Sequence, residues 1–210
     1  MDMTVSEMAI AIALPPTLTL TVTPEQFEEL ARVNRELRLE RTASGELIVM
    51  PPTGSETGNR NVELAAEVVV WNRQTGLGKV FDSSTGFRLP NSANRSPDVS
   101  WVKGDRWEAL SAEERQGFAP LCPDFVVELR SPSDSLKPLR QKMQEYIDNG
   151  ARLGWLIDTP SRRVEVYRQH RAVEVLENPV TLSGEAVLPG FVLSLYQKEA
   201  DSTTPTTAPT

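Results

Sequence analysis

Apolar and polar positions change period repeatedly along this chain, and each change marks an element. Thr23-Pro24 followed by EQFEELARVNREL is a capped helix start with proline in the first turn. LRLERTASGELIVM reads as a hairpin turning at Ser44-Gly45. After the loop PPTGSETGN comes a helix from about Arg60 to Arg73, apolar over much of its circumference and therefore largely buried. Short strands follow at GKVF and GFRLP, then a strand in SPDVSWV. WEALSAEERQGF is a short helix, and PDFVVELR is a strand bounded by proline. SPSDSLKPLRQKMQEYIDNG is a loop entering a helix that Gly150 ends. LGWLID and RRVEVYR form a second hairpin around Thr159-Pro160-Ser161, and short strands with LPGFVL close the domain.

Two acidic residues interrupt the apolar runs: Asp98 in SPDVSWV and Glu128 in PDFVVELR. Side chains i and i+2 of a strand share a face, so Asp98 lies with Ser100 and Val102, and Glu128 with Val126 and Arg130. A carboxylate in a core strand is expensive to bury unless a cation or hydrogen-bond donors hold it. Two such strands paired in one sheet would make a hard, oxygen-rich site suited to Mg²⁺.

Composition narrows the chemistry. A chain of 210 residues fits one domain with decoration or two small ones. A single cysteine, Cys122, excludes an internal disulfide and any multi-cysteine zinc site. A single histidine, His170, excludes paired-histidine metal sites, and its setting in YRQHRAV reads as a turn between strands. The lone thiol is consistent with a reducing, cytoplasmic location. The apolar stretch Met8–Leu14 is too short to span a bilayer and lacks a basic leader, so no membrane role is expected. Residues 1–17 read as a flexible segment, 18–197 as one domain, and 198–210 as a disordered Thr/Pro-rich tail.

The net charge of −7 argues at first against nucleic acid, but its distribution is uneven. Residues 1–50 hold eight acidic and four basic residues, whereas 130–171 hold nine basic and five acidic. Such asymmetry suits a protein that meets a polyanion on one face, and equally suits ordinary solvated charge.

In the helix after Glu128, Leu136, Leu139, Met143, Tyr146 and Ile147 fall on one face. Lys142 lies at the edge of that face, where it could lean over the sheet toward the carboxylates or extend into water.

A Pro-Asp followed by Glu-x-basic on a later strand resembles the PD-(D/E)XK nuclease superfamily. The run PDFVVELRSPSDSLKPLRQKMQEYIDNGARLGWLID resembles the Uma-two family of restriction-endonuclease-like proteins more specifically. PPTGSETGNRN, FDSSTGFRLP, SPDVSWV and VLPGFVL stand in the family's order, so the resemblance spans roughly residues 20 to 195. It implies an α/β fold, a restriction-endonuclease-like mixed β-sheet flanked by helices, with extra strands at both ends. It also implies a phosphodiesterase site in which Asp98, Glu128 and the Leu129 carbonyl hold Mg²⁺ or Mn²⁺. The superfamily's strand lysine is here Arg130, which stays protonated and could clamp phosphate but not accept a proton. Lys142 would be that lysine moved onto the neighbouring helix. Glu63, one turn from Glu67 on the first core helix, is a candidate extra carboxylate, against a plain solvent-facing stripe. Ser131, Asp134 and Tyr146 would support the ligands, with Ser131 and Asp134 equally readable as turn and capping residues.

The resulting expectation is a metal-dependent endonuclease acting on DNA, with RNA as an open alternative and a homodimer compatible. The rival is a catalytically silent scaffold or DNA-binding regulator on the same fold. Complete carboxylates favour the enzyme; the acidic balance and the missing strand lysine favour the rival.

Overall fold

The computed structural model describes residues 18–195 apart from Ser133, so the expected flexible start and Thr/Pro-rich tail lie outside the described residues. Helix α1 (Pro24–Val33) opens on a capping box: Thr23 Oγ1 accepts from the Gln26 amide while Gln26 Oε1 accepts from that of Thr23. Strands β1 (Arg38–Arg41) and β2 (Leu47–Met50) then form the expected hairpin, in which Gly45 adopts φ +90°. Helix α2 (Ser55–Thr75) begins earlier than its apolar pattern suggests, because GSETGN forms its first turns rather than a loop. Glu56 there complements the helix dipole and pairs with Arg60 one turn on.

Strands β3 (Gly78–Asp82), β4 (Phe87–Arg88), β5 (Asn94–Arg95) and β6 (Val99–Lys103) follow. The segment between β6 and β7 (Phe125–Leu129) folds as two short helices, α3 (Gly104–Glu108) and α4 (Ala112–Gln116), rather than one. Helix α5 (Leu136–Asp148) joins β7 to β8 (Leu153–Asp158), and β9 (Arg163–Arg168), β10 (Glu174–Glu177), β11 (Thr181–Ser183) and β12 (Val192–Ser194) complete the domain. His170 sits exposed in the turn after β9.

A six-stranded sheet ordered β10-β9-β8-β7-β6-β3 forms the centre. Its ladders are antiparallel except β7 with β8, which run parallel and therefore need the α5 crossover. Alternation along the strands loads both faces. Val99, Trp101, Phe125, Val127 and Trp155 pack with Leu64, Val68 and Trp71 of α2 on one side. Val102, Val126, Leu156 and Tyr167 pack with Met143, Tyr146 and Ile147 of α5 on the other. A smaller sheet, β2-β1-β5-β4, carries Phe87 into this second layer.

Gly154 lets α5 settle closely onto β8. A Cβ at that position would lie 2.5 Å from Met143 Cε and 3.2 Å from Val126 Cγ2. Among the described residues no helix is long and apolar enough to cross a membrane.

Candidate active site

Asp98 immediately precedes β6 rather than sitting in its middle, because the ladder to β7 starts at Val99, opposite Val127. The carboxylate carries the pairing one step further: Asp98 Oδ2 accepts from the Leu129 amide at 2.8 Å. Its other oxygen accepts from Asn61 Nδ2 at 3.3 Å. Asn61 belongs to the buried stripe of α2 with Leu64, Val68 and Trp71, and reaches over the end of the sheet. Glu128, one residue before the end of β7, is buried on the α5 face. Its Oε1 accepts from the Tyr146 hydroxyl at 3.1 Å and lies 2.8 Å from Lys142 Nζ.

Lys142 leans inward, one of the two orientations open to it from the sequence. Its ammonium also lies 2.8 Å from Glu40 Oε1 and donates to the Ser96 carbonyl at 3.3 Å. Glu40 comes from β1 of the small sheet and is held by Arg95 at 3.0 Å and by the Ser96 amide at 2.9 Å. Arg95 in turn pairs with Glu145 of α5 at 2.6 Å.

The electrostatics follow from burial. Removal from water pushes the Glu128 carboxyl up to about 7; Lys142 counters this, while Asp98 and Glu40 add to it. Burial likewise raises Asp98, against the Leu129 amide and the nearby charges of Lys142 and Arg38. Burial works against the charge of Lys142, but Glu128 and Glu40 more than reverse it and hold the ammonium protonated. Burial also opposes ionisation of Glu40, yet Lys142 and Arg95 keep it below its ordinary range. The Tyr146 phenol is raised by burial and then by the charges of Glu128 and Glu40, so it stays a donor.

Other candidates fall elsewhere. Arg130 lies just past the end of β7 and turns away from Glu128, donating to Asp158 Oδ1 at 2.9 Å and to the Asp134 carbonyl at 3.1 Å. It ties the ends of β7 and β8 together. Glu63 and Glu67 are exposed on the outer side of α2, and Glu63 accepts from Asn59 rather than meeting the carboxylates. Ser131 contacts Thr57 through its hydroxyl and donates its amide to the Asp134 carboxylate, the turn role open to it from the sequence. Asp124, in the chain's other Pro-Asp pair, binds the Lys103 amide and Arg106.

The basic run from 130 to 171 is largely spent internally. Arg140 and Arg163 pair with Glu165, and Arg168 pairs with Glu174 and Glu185. Part of its apparent excess is therefore matched by carboxylates of the same domain.

Sequence reasoning missed Glu40, Arg95 and Asn61. Only Asn61 had a usable signal, as the polar member of an apolar stripe spaced like one helix face.

Among the described residues no three His, Cys, Asp or Glu side chains gather as a metal set. The donors present nevertheless suit a hard cation. Asp98 and Glu128 offer carboxylates, and both Asn61 Oδ1 and Ser100 Oγ are buried without a partner. Asp98, Glu128, Glu40 and Glu145 face Lys142, Arg95 and Arg38, so with Glu128 ionised the cluster keeps an excess of negative charge that a cation would offset. A cavity of about 60 Å³ opens beside Leu129, lined in part by Thr57, Arg60 and Arg130. A larger groove of about 560 Å³ along Gln144, Asp148 and 168–171 contains none of these groups and is no part of the site.

A family model, Uma2, described as a putative restriction endonuclease, matches residues 24–196. The chain belongs to the Uma2 family. The fold of this Uma2 chain is also that of a solved protein, described as a putative nuclease belonging to DUF820 from Anabaena variabilis ATCC 29413. The two align with a TM-score of 0.63 and 22% identity, over 76% of this chain and 87% of the other. No curated protein matches the chain. The mixed sheet flanked by helices agrees with what the sequence resemblance implies.

Proposed function

We propose that this Uma2 protein is a divalent-metal-dependent nuclease acting on DNA, with Asp98, Glu128 and Lys142 as its working residues. The observation that carries the reading is the Lys142 ammonium, 2.8 Å from Glu128 Oε1 and close enough for its charge to act on Asp98 as well. A lysine beside two carboxylates at a strand end is the arrangement a phosphodiesterase needs, even though here the lysine comes from α5.

Asp98, Glu128 and the Leu129 carbonyl would hold Mg²⁺ or Mn²⁺. A bound ion would acidify the attacking water and neutralise charge on the scissile phosphate. Lys142, kept protonated by Glu128 and Glu40, cannot serve as the general base. Its role is to orient the water and to offset negative charge that grows on the phosphate. Glu40 also holds the ammonium, so Lys142 would keep an anionic partner with Glu128 engaged as a metal ligand. Arg38, two residues before Glu40 on β1, bears on the Asp98 carboxylate and has its buried Nε unpaired. It takes the phosphate-facing role that Arg130, tied to Asp158, does not fill.

Purified protein incubated with supercoiled plasmid and Mg²⁺, Mn²⁺ or EDTA tests the reading. Nicking that depends on metal and vanishes in Asp98→Asn is the expected result. Intact plasmid under every condition, from protein that still binds DNA, would favour the silent DNA-binding alternative.

A further inference from the structure

The Asn61 amide is only half accounted for. Its nitrogen must face Asp98, since a carboxylate oxygen accepts and cannot donate, and the 3.3 Å contact runs in that sense. The opposite end, Oδ1, is then fixed in orientation. It is buried, with the residue 8% exposed, and has no hydrogen-bond partner. An amide oxygen stripped of water and left unpaired is destabilising, so such a group is retained where something else meets it.

Its surroundings narrow the choice of partner. The residue lies on the buried stripe of α2 and comes to the site from the opposite layer to α5. The local charge balance is negative, which favours a cation at the unpaired lone pair. A neutral carbonyl-type oxygen next to carboxylates is a common component of Mg²⁺, Mn²⁺ and Ca²⁺ sites.

We infer that Asn61 is a direct oxygen ligand to the divalent ion, completing from α2 a set otherwise drawn from β6 and β7. This rests on the proposed metal site. Asn61 thus has two duties with one side chain: Nδ2 fixes the rotamer of Asp98, and Oδ1 binds the ion that Asp98 also binds. The helix-borne carboxylate sought at Glu63 is replaced by an uncharged donor two residues earlier, on the face that is actually buried.

The test uses the full-length protein and metal alone, without nucleic acid. Wild type should bind Mn²⁺ by calorimetry, and Asn61→Ala should bind it about tenfold more weakly. The water-proton relaxivity of each bound Mn²⁺ should rise in Asn61→Ala, because water takes the vacated position. Asn61→Cys with Cd²⁺ should show a thiolate-to-metal absorption band that wild type lacks. The wild-type thiol, Cys122, is buried with its ionisation pushed up to about 12 and supplies a silent background. Wild type that binds Mn²⁺, with unchanged relaxivity in Asn61→Ala and no band in folded Asn61→Cys, overturns the assignment while leaving the Asp98–Glu128 site standing. If Asn61→Cys does not fold, the relaxivity of Asn61→Ala decides alone. Wild type that binds no Mn²⁺ overturns the metal site itself, and the ligand with it.

Discussion

Lys142 Nζ and Glu128 Oε1 lie 2.8 Å apart, although one projects from α5 and the other from β7. The crossover that links the parallel strands β7 and β8 therefore brings its own cation back to the carboxylate of the strand it left. Lys142→Ala should lower single-turnover cleavage roughly a hundredfold, the scale of a positioned catalytic group. It should leave Mn²⁺ affinity unchanged or higher, since a competing positive charge is removed. It should also destabilise the apo protein by roughly 3–5 kcal/mol, because Glu128 and Glu40 lose a buried partner. Wild-type cleavage rates in this variant would remove lysine from the mechanism.

Asp98→Asn should abolish Mn²⁺ binding while the protein stays folded. The asparagine oxygen can still accept from the Leu129 amide, and loss of charge relieves repulsion with Glu128. The melting temperature should stay level or rise slightly. Calorimetry showing undiminished Mn²⁺ binding would contradict the metal assignment.

The raised Glu128 carboxyl gives a pH signature. Its folded value, about 7, lies above the ordinary 4.5, so the folded state holds this proton more tightly than the unfolded chain does. The resulting stabilisation is complete below about pH 4.5 and is lost as pH rises through about 7. Melting curves of the metal-free protein should therefore show stability falling across that window, with a smaller fall in Glu128→Gln. Mn²⁺ affinity should rise over the same range as the proton leaves. Identical pH profiles for the two proteins would place the titrating group elsewhere.

Arg38→Glu should weaken DNA binding and lower the salt dependence by roughly one to two phosphate contacts. Fluorescence anisotropy across a salt series, with Ca²⁺ in place of Mg²⁺, measures this. An unchanged slope would show that Arg38 does not face the backbone.

Gly154→Ala should destabilise the protein by about 1–3 kcal/mol, the usual range for overpacking. The added methyl meets Met143 Cε and Val126 Cγ2, and Met143 is the neighbour of Lys142 on α5. Cleavage should fall more than metal binding, because the ligands on β6 and β7 do not move with the helix. A variant as stable as wild type would mean the flexible Met143 end absorbs the methyl without shifting α5.

Most of the strands, the two long helices and the burial of Glu128 were legible because each element keeps one clean period, and because a buried carboxylate stands out among Val and Phe. Asp98 was read one step too far into its strand, and β5 is too short to show a period. Lys142 was ambiguous because the edge of a helix face allows both an inward and an outward lysine. Glu40 was hidden: in LRLER it alternates with Leu39 as a solvent-facing residue would, and nothing local shows that the small sheet packs against α5. Arg130 was misplaced because strand alternation was carried past Leu129, where the chain leaves regular β7 and its side chain turns to Asp158. Glu63 failed on phase, lying off the stripe of Asn61, Leu64, Val68 and Trp71.

Glu40, Asn61, Asp98, Glu128 and Lys142 come from five separate elements or their edges, spread over about half of the sequence. No fragment that ends before α5 contains the whole cluster. A chain emerging from its N-terminus acquires the carboxylates first and the lysine last. On the proposed reading, hydrolytic competence would therefore appear only with the finished domain, and nascent chains would be harmless to the nucleic acid around them.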